Sequence, residues 1–186
     1  MNKSVNKVLL GSTTLLAMGA AGQQAQAATA AVGIDAVILA PITVTPGVNL
    51  DFGILTDGGA GGTATVDTAN TLSGTTGATS GAGGTIASGT FDIAGSTGNQ
   101  INITTPASVT IADGGNTMTV HSFAILAPAA GGGGNDTGTS GAGANLASTL
   151  TASPAAGYRL GGTLVVGAAQ AAGTYSGNVT ITAVYN

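Results

Sequence analysis

From Thr174 to Asn186, apolar and polar residues alternate almost without interruption. Tyr175, Val179, Ile181, Ala183 and Tyr185 share one parity, with Gly177 a gap among them; Thr174, Ser176, Asn178, Thr180 and Thr182 share the other. Successive strand side chains point to opposite faces, so this period of two predicts a long terminal strand with one buried and one wetted face. A second run of the same kind stands early in the chain, where Val32, Ile34, Ala36, Ile38, Ala40, Ile42 and Val44 occupy every second position. Burying a large aliphatic side chain is worth about 1.5–3 kcal/mol, but ordering each residue's backbone costs about 1–2 kcal/mol. Such a segment is not ordered alone. It has to join a sheet, in its own domain or in a neighbour's.

Helix signals are scarce beyond the first thirty residues: there is no glutamate, and Gly and Thr interrupt every run. Period-two segments recur instead, and they predict strands over Val32–Ala40, Ile42–Thr45, Leu50–Ile54, Thr63–Asp67, Thr85–Ile93, Gln100–Thr104, Ser108–Ala112, Thr117–Leu126, Tyr158–Val166 and Thr174–Tyr185. Many short strands separated by turn residues imply a sandwich or barrel. Six aromatics are too few for the two interfacial girdles of a membrane barrel. The expected fold is therefore all-β, a single antiparallel immunoglobulin-like β-sandwich over residues 46–186. Residues 28–45 form an N-terminal extension or first strand. Three Gly-rich stretches, Asp57–Gly62, Ser73–Gly84 and Ala129–Asn145, read as flexible loops.

The first 27 residues have the layout of a secretory signal peptide: Lys3 and Lys7, then the apolar stretch Val8–Ala21, then the small-residue pattern Ala25-Gln26-Ala27. The apolar stretch is too short for a comfortable membrane span, so none is expected after cleavage. Beyond it the chain keeps one cation, Arg159, against seven aspartates. One cation does not neutralise a row of phosphates, which excludes nucleic acid as a partner. Without cysteine there are no disulfides, and stability has to come from burial and sheet hydrogen bonds.

Catalytic and metal-binding candidates are few. His121 is the only histidine, within a predicted strand and with no second histidine or cysteine to share a metal. Asp57 and Asp113 each precede Gly-Gly, where aspartate serves turn geometry. Gly131-Gly132-Gly133-Gly134-Asn135-Asp136 resembles one turn of a calcium-binding nonapeptide, but it lacks the following large apolar residue and has no neighbouring copies. No Gly-Lys-Ser/Thr follows a strand, so the glycine runs are not phosphate loops. Arg159 is expected to pair with a nearby aspartate. No catalytic residue, cofactor or metal site is assigned, and an enzymatic role is not expected.

Several segments in register resemble a family of exported bacterial proteins catalogued as domain of unknown function 4402. They are Ala40-Pro41-Ile42-Thr43-Val44, Leu50-Asp51-Phe52-Gly53, Thr117-Met118-Thr119-Val120, Gly161-Gly162-Thr163-Leu164, Ala172-Gly173-Thr174-Tyr175-Ser176-Gly177 and Val184-Tyr185-Asn186. The Gly-Thr-Tyr-Ser-Gly step into a terminal alternating strand is also similar to the ending of spore-coat-U-like and archaic chaperone–usher pilin subunits. That second resemblance implies a sandwich lacking one strand, completed by the N-terminal extension of the next subunit. Many of those subunits carry a disulfide, which this chain lacks.

The expected function is accordingly that of an exported structural or surface protein, a pilin-like subunit of the periplasm, cell surface or exterior. Copies of itself, other pilus subunits and a periplasmic chaperone are the expected partners. The residues expected to mediate strand pairing are Val32, Ile34, Ile38, Ile42 and Val44 on the donor side, with Tyr175, Val179, Ile181 and Tyr185 on the terminal strand. The rival expectation is a monomeric extracellular module, with a self-completed sandwich, that binds polysaccharide or ice through threonine rows such as Thr63/Thr65, Thr117/Thr119 and Thr180/Thr182.

Overall fold

The structure is a computed structural model that describes residues 27–76, 78–80, 84–129, 134–137 and 143–186. The expected signal peptide therefore lies, but for Ala27, outside the described residues. The chain divides after Ala36 into two units. In the first, residues 27–36 hold no strand and are exposed. The second, Val37–Asn186, is built of strands, and every pairing in it is antiparallel. The all-β class expected from period-two patterning is the class the chain adopts.

Strands are numbered in chain order. The larger sheet runs β1 (Thr43–Pro46), β8 (Gly89–Ala94), β14 (Ala155–Val166), β11 (Asn116–Ala127), β10 (Ser108–Asp113). The second half of β14 also pairs β4 (Gly62–Val66), which carries β5 (Leu72–Thr76), and the second half of β11 pairs β12 (Gly134–Thr137). A smaller sheet has β9 (Gln100–Thr104) between β13 (Asn145–Thr149) and β15 (Thr182–Tyr185). Two ribbons complete the set: β2 (Asp51–Phe52) with β7 (Ile86–Ala87), and β3 (Leu55–Asp57) with β6 (Ala78–Ser80).

Inward residues of the two sheets share one core. Phe91 and Ile93 of β8, Val120, Phe123 and Ile125 of β11, and Tyr158, Leu160 and Leu164 of β14 meet Ile101 and Ile103 of β9 and Leu146 of β13. Phe91 and Tyr158 are opposite one another in the β8–β14 register, and their rings stack with centroids 5.2 Å apart and planes 15° from parallel. A cross-strand aromatic pair of this kind adds about 0.5–1.5 kcal/mol to its area burial.

Two long strands keep their apolar rows inward only because each carries a bulge. In β11 the inward parity changes between Val120 and Phe123, where the register against β14 shifts and Ser122 adopts a φ of 51°. In β14 it changes between Ala155 and Tyr158, and Gly157 supplies a φ of 86°. An inserted residue resets which face receives the next side chain. Asp92 fixes the second bulge by accepting the Gly157 N–H at 2.8 Å.

Several expectations need correction. Val32–Ala40 is not a strand: residues 27–42 pair with no described neighbour and remain outside every sheet. The alternating pattern is present, but no described backbone pairs with it. The terminal strand is shorter than Thr174–Tyr185, since only Thr182–Tyr185 joins a ladder. Conversely, the stretches read as Ser73–Gly84 and Ala129–Asn145 loops contain β5, β6 and β12, while residues 77, 81–83, 130–133 and 138–142 lie outside the described residues. Leu72–Thr76 and Ala78–Ser80 have almost no apolar row to announce them, and their place is set by backbone pairing to β4 and β3. Of the calcium-like segment, Gly134–Thr137 forms β12, and the preceding glycines 131–133 are not described.

The Tyr158 hydroxyl is buried beside the Ser148 hydroxyl, and neither makes a hydrogen bond of good geometry. Burial pushes the phenol's pKa up, an effect that the nearby Ser148 hydroxyl opposes. A group with a raised folded-state pKa stabilises fully below its unfolded value, and that stability is lost as pH rises from about 10 toward the raised value. Tyr158→Phe should leave stability at neutral pH unchanged or improve it by up to about 1 kcal/mol, because an unsatisfied buried hydroxyl is removed. It should also weaken the loss of stability above about pH 10. Thermal unfolding between neutral pH and about pH 11 checks both; a variant clearly less stable at neutral pH would show that the hydroxyl is satisfied.

Candidate functional site

The terminal segment crosses from one sheet to the other. Ser176 makes a single antiparallel bridge to Ala112 on β10, with N–H···O distances of 3.0 and 2.9 Å in the two directions. Gly177 sits against Thr110 and Ile111, where a Cβ would approach within 2.9 Å. Only at Thr182 does the chain begin its ladder on β9. Between these points, no backbone hydrogen bond joins Gly177–Ile181 to another described residue. Yet the apolar parity survives: Val179, Ile181, Ala183 and Tyr185 are half-buried against the core, and the residues between them are exposed. Gly177–Ile181 thus keeps its apolar row on the core without belonging to a sheet.

β1 presents an edge of the larger sheet. It pairs only with β8, and its other side carries no strand among the described residues. Ile42 and Val44 from this segment are also half-buried on the same core. Tyr185 ties the two segments together. Its hydroxyl accepts the Ser96 N–H at 2.6 Å and donates to the Ala40 carbonyl at 2.8 Å, while Ser96 Oγ accepts the Ala40 N–H at 2.7 Å. Gly95 makes room for this contact, since a Cβ there would stand 2.6 Å from the tyrosine hydroxyl oxygen and 3.4 Å from Ile42 and Leu150.

Upstream of Ala40 the apolar row is exposed. In the second unit, Val37 and Ile38 are 88% and 93% exposed; in the first, Val32 and Ile34 are 83% and 95% exposed. The structure thus brings Ile42, Val44, Val179, Ile181 and Tyr185 onto one core and leaves Val32, Ile34 and Ile38 in solvent. Tyr175 stands apart from both groups: its hydroxyl donates to Ala171 O at 2.7 Å and accepts from Gln170 Nε2 at 2.8 Å, which closes a local loop. Ser96 and Gly95 carry no periodic signal, and the place of Ala40 on the alternating row does not single it out, so only the pairing itself reveals the partners of Tyr185.

The polar candidates fall on the outer side of the larger sheet or in turns. His121 faces outward beside the β11 bulge, with Nδ1 2.7 Å from Ser122 Oγ. Asp57 Oδ1 accepts the Gly59 N–H at 2.9 Å, the turn role expected of it. Arg159 departs from expectation, because no carboxylate among the described residues pairs with it. Instead its Nη1 reaches Thr68 O and Ser88 Oγ, both at 3.4 Å. Asp67, next to Thr68, and Asp92, two residues from Thr90, are engaged elsewhere: Asp67 Oδ1 accepts the Ala69 and Thr71 N–H groups, and Asp92 holds the bulge. Among the described residues no group of three His, Cys, Asp or Glu side chains is placed to hold a metal, and no helix is long and apolar enough to cross a membrane.

Fold and site together define an antiparallel all-β domain with an open edge and an unpaired alternating segment leading into it. Residues 42–185 match the family described as Domain of unknown function (DUF4402), and the chain belongs to that family. Its match begins where the half-buried row begins, at Ile42, and takes in the terminal strand. Comparison with curated proteins and with solved structures gave no match.

Tyr185→Phe removes both bonds of the hydroxyl while leaving the ring in place. The expected cost is about 1–2 kcal/mol of stability, with faster hydrogen exchange at the Ser96 amide. An unchanged unfolding midpoint together with unchanged Ser96 exchange would contradict the assigned tie.

Proposed function

We propose that the chain is an exported structural protein, a pilin-like subunit with an immunoglobulin-like sandwich that assembles by strand complementation between copies. The observation that carries this reading is the solvent-exposed, unpaired row Val32–Ile38, placed immediately before an edge whose own apolar row is only half covered. An extended segment added to such an edge gains main-chain hydrogen bonds, and its alternate side chains fill the gaps in the core. Val32, Ile34 and Ile38 are the donor residues; the free side of β1 and the Gly177–Ile181 backbone are the acceptor. Ile42 and Val44 serve the subunit's own sheet, through the Val44–Ile93 register of β1 with β8.

Each subunit then gives one segment and receives one. That relation is head-to-tail, and it propagates into an open filament wherever the rotation between subunits does not close a ring. The tie of Ala40 to Tyr185 and Ser96 fixes where the donor segment begins. A structural rather than catalytic role is in keeping with a chain that has one histidine, no cysteine and no glutamate. The export signal and the periplasmic or surface location belong to the same proposal and rest on the pattern Lys3–Ala27.

Ile34→Asp and Ile38→Asp test the reading without disturbing the core, because both positions are exposed. Each should abolish filaments in electron micrographs and high-mass species in sedimentation, with the unfolding free energy of the isolated subunit changed by less than about 0.5 kcal/mol. A peptide spanning residues 30–39, added to a protein lacking residues 28–39, should stabilise that protein by about 2.7 kcal/mol when present at about a hundred times its Kd. Assembly that survives both substitutions, or a truncated protein indifferent to the peptide, contradicts strand complementation.

A further inference from the structure

The outer face of the larger sheet carries a hollow of mixed lining, and Arg159 stands in its wall. The hollow holds about 260 Å³ and is lined by the apolar Val48, Ile86 and Ala87 and the polar Asn70, Ser88, Thr90 and Arg159. Its position follows from the strand register. Arg159 projects outward between Tyr158 and Leu160, which are buried in the core, and lies opposite Thr90 on β8. The turn between β4 and β5 forms the remaining rim. Asp67 pins that turn from within, and Asn70 takes a φ of 65°, with its side-chain oxygen accepting both the Ser88 N–H and the Ser88 hydroxyl at 2.7 Å.

A guanidinium carries five N–H donors. Those of Nη1 are directed at Thr68 O and Ser88 Oγ over long distances of 3.4 Å. The Nε and Nη2 donors have no acceptor among the described residues, and they form the fork that matches a carboxylate in a bidentate manner. Around the fork are donors of the kind that read hydroxyls. The Asn70 amide nitrogen bonds to no described residue, and the Thr90 hydroxyl accepts the Val48 N–H at 2.8 Å, which leaves its proton to give. Val48, 58% exposed, and Ile86 offer an apolar wall for C–H groups. A second hollow of about 260 Å³ opens on the other side of the same turn, lined by Thr65, Thr68, Ser122 and Thr163, with Asp67 at its edge.

From this arrangement we infer that the Arg159 hollow is a binding site for a carboxylated sugar, the uronic acid unit of an acidic polysaccharide. The carboxylate takes the Nε/Nη2 edge of Arg159, ring hydroxyls take Asn70 and Thr90, and the ring's C–H face lies on Val48 and Ile86. Adjacent sugars of the chain extend past the turn toward the threonine-lined hollow. The Asp67 carboxylate there repels a second acid, which favours a neutral unit or an outward-turned one at that position. The formal charge of the chain is −4, so the protein's overall field opposes an anion and Arg159 supplies the local attraction. A polyanion without hydroxyls, such as an acidic peptide, gains only the fork and meets the same repulsion. This site is independent of the open edge, and either can fail without the other.

Isotope-labelled protein titrated with tetragalacturonic acid, with neutral tetragalactose, and with a tetraglutamate peptide provides the test. The uronate should move the Arg159 Nε–H resonance and the amides of Asn70, Ser88 and Thr90, while the neutral sugar and the peptide should bind at least about tenfold more weakly. Arg159→Gln should reduce uronate binding by about tenfold or more, and Arg159→Lys should restore only part of it. Perturbation mapped on the unsubstituted protein keeps the inference testable if Arg159→Gln does not fold. Shifts confined to another surface, equal binding of peptide and uronate, or full affinity in Arg159→Gln would each overturn it.

Discussion

An extended backbone satisfies its N–H and C=O groups only beside another extended backbone, or in water. In this chain that requirement governs almost everything, because little else is present to brace a core or close a sheet edge. There are no disulfides, charged residues make up 5% of the sequence, and no helix is present among the described residues to cover an edge. The two sheets are held by ladder pairing and by a compact core around Phe91, Tyr158, Phe123 and Ile103. Where pairing stops, as at Gly177–Ile181 and along the outer side of β1, the apolar row is left half covered. The exposed segment before Ala40 carries an alternating pattern and joins no ladder with a described residue.

Tyr185 gives this edge its definition. A single hydroxyl joins Ser96, two residues past β8, to Ala40, three residues before β1. The terminal strand thereby fixes the point at which the N-terminal segment departs. On the outer face, the bulges of β11 and β14 do comparable work for polar residues. They turn Phe123 and Tyr158 inward, and so present Ser122 and Arg159 on the outside. The two bulges therefore set both the core parity and the chemistry of the opposite surface.

How much of the fold is legible in the sequence depends on whether one face of a strand is apolar. Gln100–Thr104 has that contrast, and its expected bounds are those of the strand; Ser108–Ala112 extends by one residue in the structure. Thr117–Leu126 and Tyr158–Val166 are legible as strands, but their bulges are not, since a bulge breaks the period that identifies a strand. The Leu72–Thr76, Ala78–Ser80 and Gly134–Thr137 strands have little side-chain contrast, so neighbouring backbone alone decides them. Val32–Ala40 is the opposite case: the contrast is strong and the strand is absent, because alternation specifies a face and a partner has to supply the ladder. Among the site residues, Ile42, Val44, Val179, Ile181 and Tyr185 do share a core, whereas the Tyr185–Ser96–Ala40 tie and the unpaired Arg159 depend on spatial neighbours that no spacing rule encodes.

Residue-resolved hydrogen exchange compared between isolated subunits and assembled material tests strand complementation most directly. Amides without a partner exchange rapidly, and those added to a ladder become protected. The amides of Gly177–Ile181 should exchange freely in the subunit and become protected on assembly, together with those of residues 32–38. Protection of Gly177–Ile181 already in the isolated subunit, or free exchange at these positions in the assembled state, would contradict it.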